Sequence, residues 1–213
     1  MHTEQIDFWT GTFGKEYTDR NTRDQQEWDS FFVNYFGCTK IDINNRCFGH
    51  LPKDAKILEV GTNTGMQLSG MQRMGFTNLY GIELQWYAVE KAKEYTKGIN
   101  IIQGSGFDIP FKDGYFDLVI TNGVLIHIAP KDLPAIMGEI VRCSKQYIAG
   151  FEYYAEQQTD INYRGNTGFL WKMDYEAKYR ELFPTLKQAY KQIYPYLTAQ
   201  EQGNKDCMYL LEK

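Results

Sequence analysis

The stretch KILEVGTNTGMQL at residues 56–68 constrains the fold more than any other part of the chain. It reads as a buried strand (Ile57, Leu58, Val60), a turn carrying Gly61, Asn63 and Gly65, and the opening of a helix (Met66, Leu68, Met71). Glycine takes positive φ and lets the backbone come close to a ligand. A helix N-terminus presents unpaired N–H groups. A strand–turn–helix of this kind is a ligand cradle more often than a plain connection. In open α/β sheets ligands bind just outside the carboxyl ends of the strands.

From Lys56 onward, strand and helix patterns alternate. Strands are expected at 56–60, 79–83, 99–103, 116–121 and 146–152. The first helix runs to about Met74, with Gly75 as its stop. The second carries Trp86, Val89 and Ala92. The third starts near 131–133 and shows Leu133, Ile136, Met137, Ile140 and Val141 on one face. Alternation of this sort builds a parallel sheet with right-handed crossovers. It ends after Glu152. Residues 153–173 form a long polar and aromatic segment with Gly165 and Gly168, and a loop of that length is usually functional or ordered against something else. A helix carrying Tyr175, Tyr179, Leu182 and Phe183 stops at Pro184. Two strand-like runs, 186–194 and 207–211, are placed to close the sheet as a hairpin.

The first fifty residues lie outside this alternation and read as a separate helical cap over a domain spanning 51–213. Trp28, Phe31, Phe32, Tyr35 and Phe36 fall at helical spacing, which packs that helix on the core or on a second copy of the chain. Phe8, Trp9, Phe13 and Tyr17 lack clear helical spacing and are interleaved with Gly11, Gly14 and mixed charges. That segment reads as a flexible lid.

Net charge is −4, which argues against a nucleic-acid partner. Aromatic residues make up 15% of the chain, suited to a pocket wall or an interface. Cys38, Cys47, Cys143 and Cys207 form no CxxC pair. No apolar run approaches the roughly twenty residues of a membrane span. A reduced, cytoplasmic protein without a membrane partner is the expectation.

Four features sit at successive strand ends. The turn Glu59–Gly65 lacks the G-x-G-x-x-G spacing, so its ligand is expected to carry no pyrophosphate. Glu83, followed by Leu84, closes the second strand about twenty residues on, where a carboxylate can accept both hydroxyl protons of a ribose. In GSGFDIPF (104–111), Gly106 beside Phe107 leaves room for an adenine and covers its face. In TNGVLIHI (121–128), Asn122 and Gly123 face the crevice, while His127 in apolar company is as readily a hydrogen-bonded core residue as a reactive one.

This ordered set resembles the class I S-adenosylmethionine-dependent methyltransferases: ILEVGTNTG is similar to their first motif, GIEL to their ribose-binding acid, GFDIPF to their adenine loop and DLVITNGVLIHI to their fourth motif. The resemblance covers about 56–152. It implies an α/β Rossmann-like fold, a seven-stranded mostly parallel sheet with helices on both faces and a reversed final strand. It also implies S-adenosyl-L-methionine as cofactor, held by Gly61, Asn63, Gly65, Met66, Glu83, Leu84, Ser105, Gly106, Phe107, Asn122 and Gly123. Many relatives carry an acid where this chain has Ser105, which leaves Ser105, a backbone amide or Asp108 to meet the adenine amino group.

A narrower resemblance lies at FWTGTFGKEYTDRN (8–21), FEYY (151–154) and YRGNTGFLWKMDY (163–175), which look like the methyltransferases associated with pseudaminic acid biosynthesis. It implies a small-molecule acceptor, a sugar or sugar nucleotide, with 153–183 as a substrate cap. An acceptor hydroxyl needs a base, and His127, Glu152, Tyr17 and Asp19 are the candidates; an amine can enter neutral and needs none. Tyr17 and Arg20 are placed to close over the methionine end of the cofactor. Trp9, Tyr153 and Arg164 are placed for the acceptor, Arg164 for an anionic group. His2, His50 and His127 show no metal-ligand spacing. The competing readings are a methyltransferase for RNA or protein, and a non-catalytic binding module.

Overall fold

The computed structural model describes residues 2–213. Four helices precede the first strand: α1 (Glu4–Thr10), α2 (Thr12–Asn21), α3 (Gln25–Phe36) and α4 (Lys40–Phe48). Next come β1 (Lys56–Val60), α5 (Met66–Arg73), β2 (Asn78–Glu83), α6 (Trp86–Tyr95), β3 (Asn100–Gln103), β4 (Phe116–Asn122), α7 (Leu133–Cys143) and β5 (Ser144–Tyr153). A short ribbon of β6 (Thr159–Asp160) and β7 (Trp171–Lys172) follows, then α8 (Tyr175–Leu182), β8 (Lys187–Pro195) and β9 (Lys205–Glu212).

The seven long strands form one sheet in the order β3-β2-β1-β4-β5-β9-β8. The first five are parallel. β9 runs antiparallel between β5 and β8, the closing hairpin expected of the tail. Strand order reverses between β1 and β4, which opens a crevice at their carboxyl ends. This is the Rossmann-like, seven-stranded architecture with a reversed final strand that the resemblance implies.

Side-chain alternation along the strands divides the core in two. Ile57, Leu118, Ile120 and Met208 point toward α3, α4 and α5, against Phe32, Ile43, Phe48, Leu68 and Met71. Leu58, Val119, Ile148 and Tyr209 point the other way, against α7 and α8 through Leu133, Ile136, Met137, Ile140 and Tyr179. Trp86 does not share the buried face expected of it. It begins α6 and is 53% exposed, while Ala88, Val89 and Ala92 carry the packing.

The N-terminal segment departs further from expectation. It is helical, where its aromatic spacing pointed to irregular backbone. Gly11 breaks the aromatic pattern into two short helices, and Trp9, Phe13 and Tyr17, four residues apart, then stack edge-on across the break at 5.0–5.6 Å. The amphipathic stripe on α3 packs on this chain's own core, with Phe32 buried and its ring 6.0 Å from that of Phe151. α4 was not foreseen, although its start is local: Thr39 and Asp42 form a capping box, as Asp24 and Glu27 do for α3. All four cysteines are free thiols.

Candidate active site

The turn after β1 is built around backbone that only glycine takes easily. Gly61 has φ +73°, and a Cβ there would lie 2.6 Å from Val124 Cγ2, so its absence lets the turns after β1 and β4 touch. The Gly61 and Thr62 amides both donate to Ile82 O, at 2.9 and 3.1 Å, folding the turn over the end of β2. Gly65, at φ +79°, serves packing instead: a Cβ would meet Thr96 and Ile101 at 2.7–2.8 Å. It lies off the cavity wall, behind the cradle it helps to shape.

Asn63, in left-handed backbone at φ 48°, donates its amide to Glu83 Oε2 at 2.8 Å. The Gln85 amide donates to Glu83 Oε1, also at 2.8 Å. Two loops thus fix the carboxylate. Desolvation raises its pKa and these amides pull it back down.

The loop after β3 is clamped to α7. Arg142 donates to Ile109 O (2.9 Å) and Phe111 O (2.8 Å), and Glu139 accepts from the Ile109 amide at 2.9 Å. Ser105 Oγ accepts from the Phe107 amide at 3.2 Å, leaving its hydroxyl proton available. A Cβ on Gly106 would approach Ile136 Cδ1 and Val60 Cγ1 to 2.8 and 3.0 Å, so this floor is kept low by glycine. Asp108 is exposed and off the wall.

After β4, Glu152 accepts from the Val124 and Ile126 amides at 3.2 and 3.4 Å. It is buried and pushed up to about 7 by desolvation, but it does not line the cavity. Its position is that of a staple between β5 and the turn, not of a base facing an acceptor. His127 does line the cavity, between the rings of Trp9 (4.6 Å) and Tyr163 (5.3 Å). Its Nδ1 lies 2.8 Å from Phe169 O. A carbonyl only accepts, so Nδ1 carries the proton and Nε2 the lone pair. Burial lowers the imidazole to about 4, making it neutral and weakly basic.

The α1–α2 pair roofs the crevice from both sides. Thr18 Oγ1 donates to Asn63 Oδ1 at 3.1 Å, and Gln85 Nε2 donates to Trp9 O and Thr10 O at 3.1 Å. Opposite, Gln5 Nε2 donates to Gly168 O at 3.2 Å and Phe8 stacks on Phe169 at 4.2 Å. Arg20 points away, toward Glu16 and the Phe13 ring, because it falls on the solvent side of α2. Arg23, at the start of the next segment, reaches the wall instead. Asp19 bonds the Tyr87 hydroxyl at 2.6 Å outside the cavity.

One cavity of about 440 Å³ results, within the range of small-molecule sites. Gly61, Asn63, Met66, Glu83, Leu84, Ser105, Gly106, Phe107, Asn122, Gly123, Trp9, Tyr17, His127, Tyr153 and Arg164 all line it. Burial raises the Tyr17 and Tyr153 phenols, which keeps both protonated at neutral pH. The far end was not foreseen from sequence: Trp28, Phe31 and Phe36 from α3, Tyr196, and Asp206 on β9. Four buried polar atoms on the wall lack a hydrogen-bond partner: Trp9 Nε1, Trp28 Nε1, Asn122 Oδ1 and Asp206 Oδ1. Buried polar groups in proteins are nearly always paired, and these four are placed to meet a ligand's polar atoms. Among the described residues no group of three His, Cys, Asp or Glu side chains is arranged to hold a metal, and no helix is long and apolar enough to cross a membrane.

The residues present fit an adenosine with a polar extension. Glu83 offers an oriented carboxylate to a diol, the Gly106 floor and Phe107 a slot for a flat base, and Asn122 an orphaned acceptor beyond them.

Residues 58–147 match a family model described as a methyltransferase domain. No curated protein matches the sequence. Among solved structures, the PH0226 protein from Pyrococcus horikoshii OT3 superposes with a TM-score of 0.66 at 17% identity, over 92% of this chain and 94% of that one. A SAM-dependent methyltransferase from Methanosarcina mazei gives 0.63 at 18%, over 76% and 94%. A geranyl diphosphate methyltransferase, in complex with GPP and sinefungin, gives 0.65 at 11%, over 82% and 76%. These likenesses establish the fold.

Proposed function

We propose that this chain transfers a methyl group from S-adenosylmethionine to a small molecule, a sugar or sugar nucleotide of surface-glycan biosynthesis of the pseudaminic acid type. The observation that carries the small-molecule part of this reading is the single roofed cavity running from Glu83 on β2 to Asp206 on β9; the sugar class rests on the resemblance at 8–21, 151–154 and 163–175. Those strands stand four places apart in the sheet, about 19 Å at the usual strand spacing. That leaves a second compartment beyond the nucleoside end. The roof of α1, α2 and the 159–172 ribbon favours an enclosed acceptor over a folded RNA or protein. Residues 1–50 act in this reading as the cap, and 51–213 as the catalytic domain with its insertion at 153–183.

The cofactor supplies an electrophilic methyl on a sulfonium. The chain's own part is to orient and to exclude water. Glu83 holds the ribose hydroxyls. Ser105, Gly106 and Phe107 hold the base, with Ser105 Oγ or a neighbouring carbonyl meeting its amino group. Trp9 and Tyr17 close the roof over the reacting centre. Arg23 and Arg164 put positive charge on the wall for an anionic acceptor.

The reading is tested by incubating the protein with methyl-labelled S-adenosylmethionine and a panel of sugar nucleotides, followed by mass spectrometry of the products. Label in a sugar nucleotide supports it. Label in RNA or protein substrates alone contradicts the small-molecule assignment.

A further inference from the structure

The cavity's far end has a composition of its own. Aromatic rings run around it in contact: Trp28 to Phe32 at 5.0 Å, Phe32 to Phe36 at 5.6 Å, Phe36 to Tyr196 at 4.8 Å and Tyr196 to Tyr153 at 5.8 Å. Asp206 stands at the foot of this wall. It is the second residue of β9, paired across the sheet with Tyr153 at the end of β5 and with Tyr194 on β8. It is 6% exposed. Its Oδ2 accepts from the Tyr196 hydroxyl at 3.3 Å, and its Oδ1 has no partner.

We infer that Asp206 is the proton acceptor for a hydroxyl on the methyl-accepting molecule, and that this aromatic compartment binds an acceptor presenting a ring hydroxyl with an apolar C–H face beside it. The inference rests on the methyltransferase reading and deepens it, since it makes the reaction an O-methylation.

The other acids and bases of the site are committed elsewhere. Both Glu83 oxygens accept backbone amides. Glu59 accepts from the Thr62 hydroxyl at 2.7 Å within the β1 turn. Glu152 staples the β4 turn from outside the wall, and His127 is a weak base. Asp206 alone combines the far wall, a buried carboxylate and a buried oxygen without a partner. Rings stack on the C–H face of a sugar while a carboxylate takes its hydroxyl, so this wall suits that class of acceptor.

The step balances. As the acceptor oxygen forms its bond to the methyl carbon, the O–H proton passes to Asp206 Oδ1. The sulfur–methyl bond breaks with its electron pair staying on sulfur. The products are an ether, a thioether and a protonated Asp206, which then loses its proton to solvent.

The groups acting on Asp206 come from every side. Lys40 on α4 and Lys172 on β7 favour its charged form, as does the Tyr196 hydroxyl, while Glu152 on β5 and desolvation oppose it. Burial dominates and pushes it up to about 7; Lys40 is the main counterweight, and burial lowers that amine in turn to about 7, so the two groups titrate together. A base poised there works at neutral pH.

The test uses UDP-N-acetylglucosamine, CMP-N-acetylneuraminate and glucosamine 6-phosphate as acceptors across pH 5.5–9, with wild type, Asp206→Asn and Tyr196→Phe. S-adenosylhomocysteine binding and acceptor binding to the S-adenosylhomocysteine-loaded protein are read separately by calorimetry. Wild type is expected to give an O-methyl product with kcat rising through about pH 7. Asp206→Asn is expected to lose about 100-fold in kcat or more, to lose that rise, and to keep both affinities within about threefold. Tyr196→Phe removes a hydrogen bond to the carboxylate and moves the rise to higher pH. Methylation of the glucosamine nitrogen, an Asp206→Asn variant with wild-type kcat and pH profile, or a Tyr196→Phe rise at unchanged or lower pH would overturn the assignment. So would failure of all three acceptors in a protein that binds S-adenosylhomocysteine. Failure to bind S-adenosylhomocysteine would instead defeat the methyltransferase reading beneath it.

Discussion

Thr18 Oγ1 donates to Asn63 Oδ1 across 3.1 Å, joining the second helix of the N-terminal cap to the glycine turn after β1. The same Asn63 donates its backbone amide to Glu83. Cap, turn and carboxylate therefore form one chain of hydrogen bonds, and closing the roof is linked to orienting the group that would hold the ribose.

Thr18→Ala breaks the first link and leaves the rest of the cap's anchors in place. A neutral hydrogen bond of this kind is worth about 1 kcal/mol, so the affinity for S-adenosylhomocysteine should fall about fivefold. The melting temperature should change little, since Gln85 and Gln5 still hold the cap. Calorimetry and a thermal melt on the same preparation check this. Unchanged affinity would mean that the cap does not sense the turn.

Gly61→Ala should cost more than affinity. Left-handed backbone costs a residue with a Cβ about 1–2 kcal/mol, and the added methyl would meet Val124 Cγ2 at 2.6 Å. The variant should unfold at lower urea and bind S-adenosylhomocysteine weakly, because two turns that shape the cavity are pushed apart. Wild-type values in both measurements would contradict the close approach of the β1 and β4 turns.

His127 makes the protein's acid stability predictable in sign. Its folded pKa is lowered from 6.5 to about 4 by burial. The folded state therefore binds fewer protons than the unfolded chain between these values, and stability falls as pH drops from about 6.5 to 4. Above about 7 both states hold a neutral imidazole and the group contributes no slope. His127→Phe lacks this term. The stability of wild type relative to the variant should be flat above pH 7 and decline by roughly 2–4 kcal/mol on acidification to pH 4. Urea unfolding at a series of pH values measures it, and a flat difference throughout would show that His127 is not buried as described.

These cases show what a sequence can disclose about a site and what it hides. The β1 turn, Glu83, the Gly106–Phe107 pair and Asn122–Gly123 were legible because each lies at a strand end, where local pattern fixes position and the parallel order aligns the ends. Glu152 met the same criterion and misled: nothing local distinguishes an acid facing the crevice from one turned back to accept the Val124 and Ile126 amides. Arg20 misled because the turn of α2 puts it toward solvent, while Arg23 reaches the wall from beyond the end of that helix. Gly65 read as part of the cradle, and its role is packing against Thr96 and Ile101. Asp206 and Tyr196 were hidden because the antiparallel hairpin brings them to the crevice from the far end of the chain. The capping box at Thr39 was a local signal and could have disclosed α4.

The central claim is that Glu83, held by the Asn63 and Gln85 amides, anchors a nucleoside at the end of β2. The most direct measurement is calorimetric titration of S-adenosylhomocysteine into wild type and Glu83→Ala. A hydrogen bond to a charged group is worth about 1.5–3 kcal/mol, and losing the carboxylate also frees the two amides that position the turn. Wild type should bind one molecule per chain, and the variant roughly 10- to 100-fold more weakly. Absence of binding to wild type, or equal affinity in the two proteins, would contradict the account.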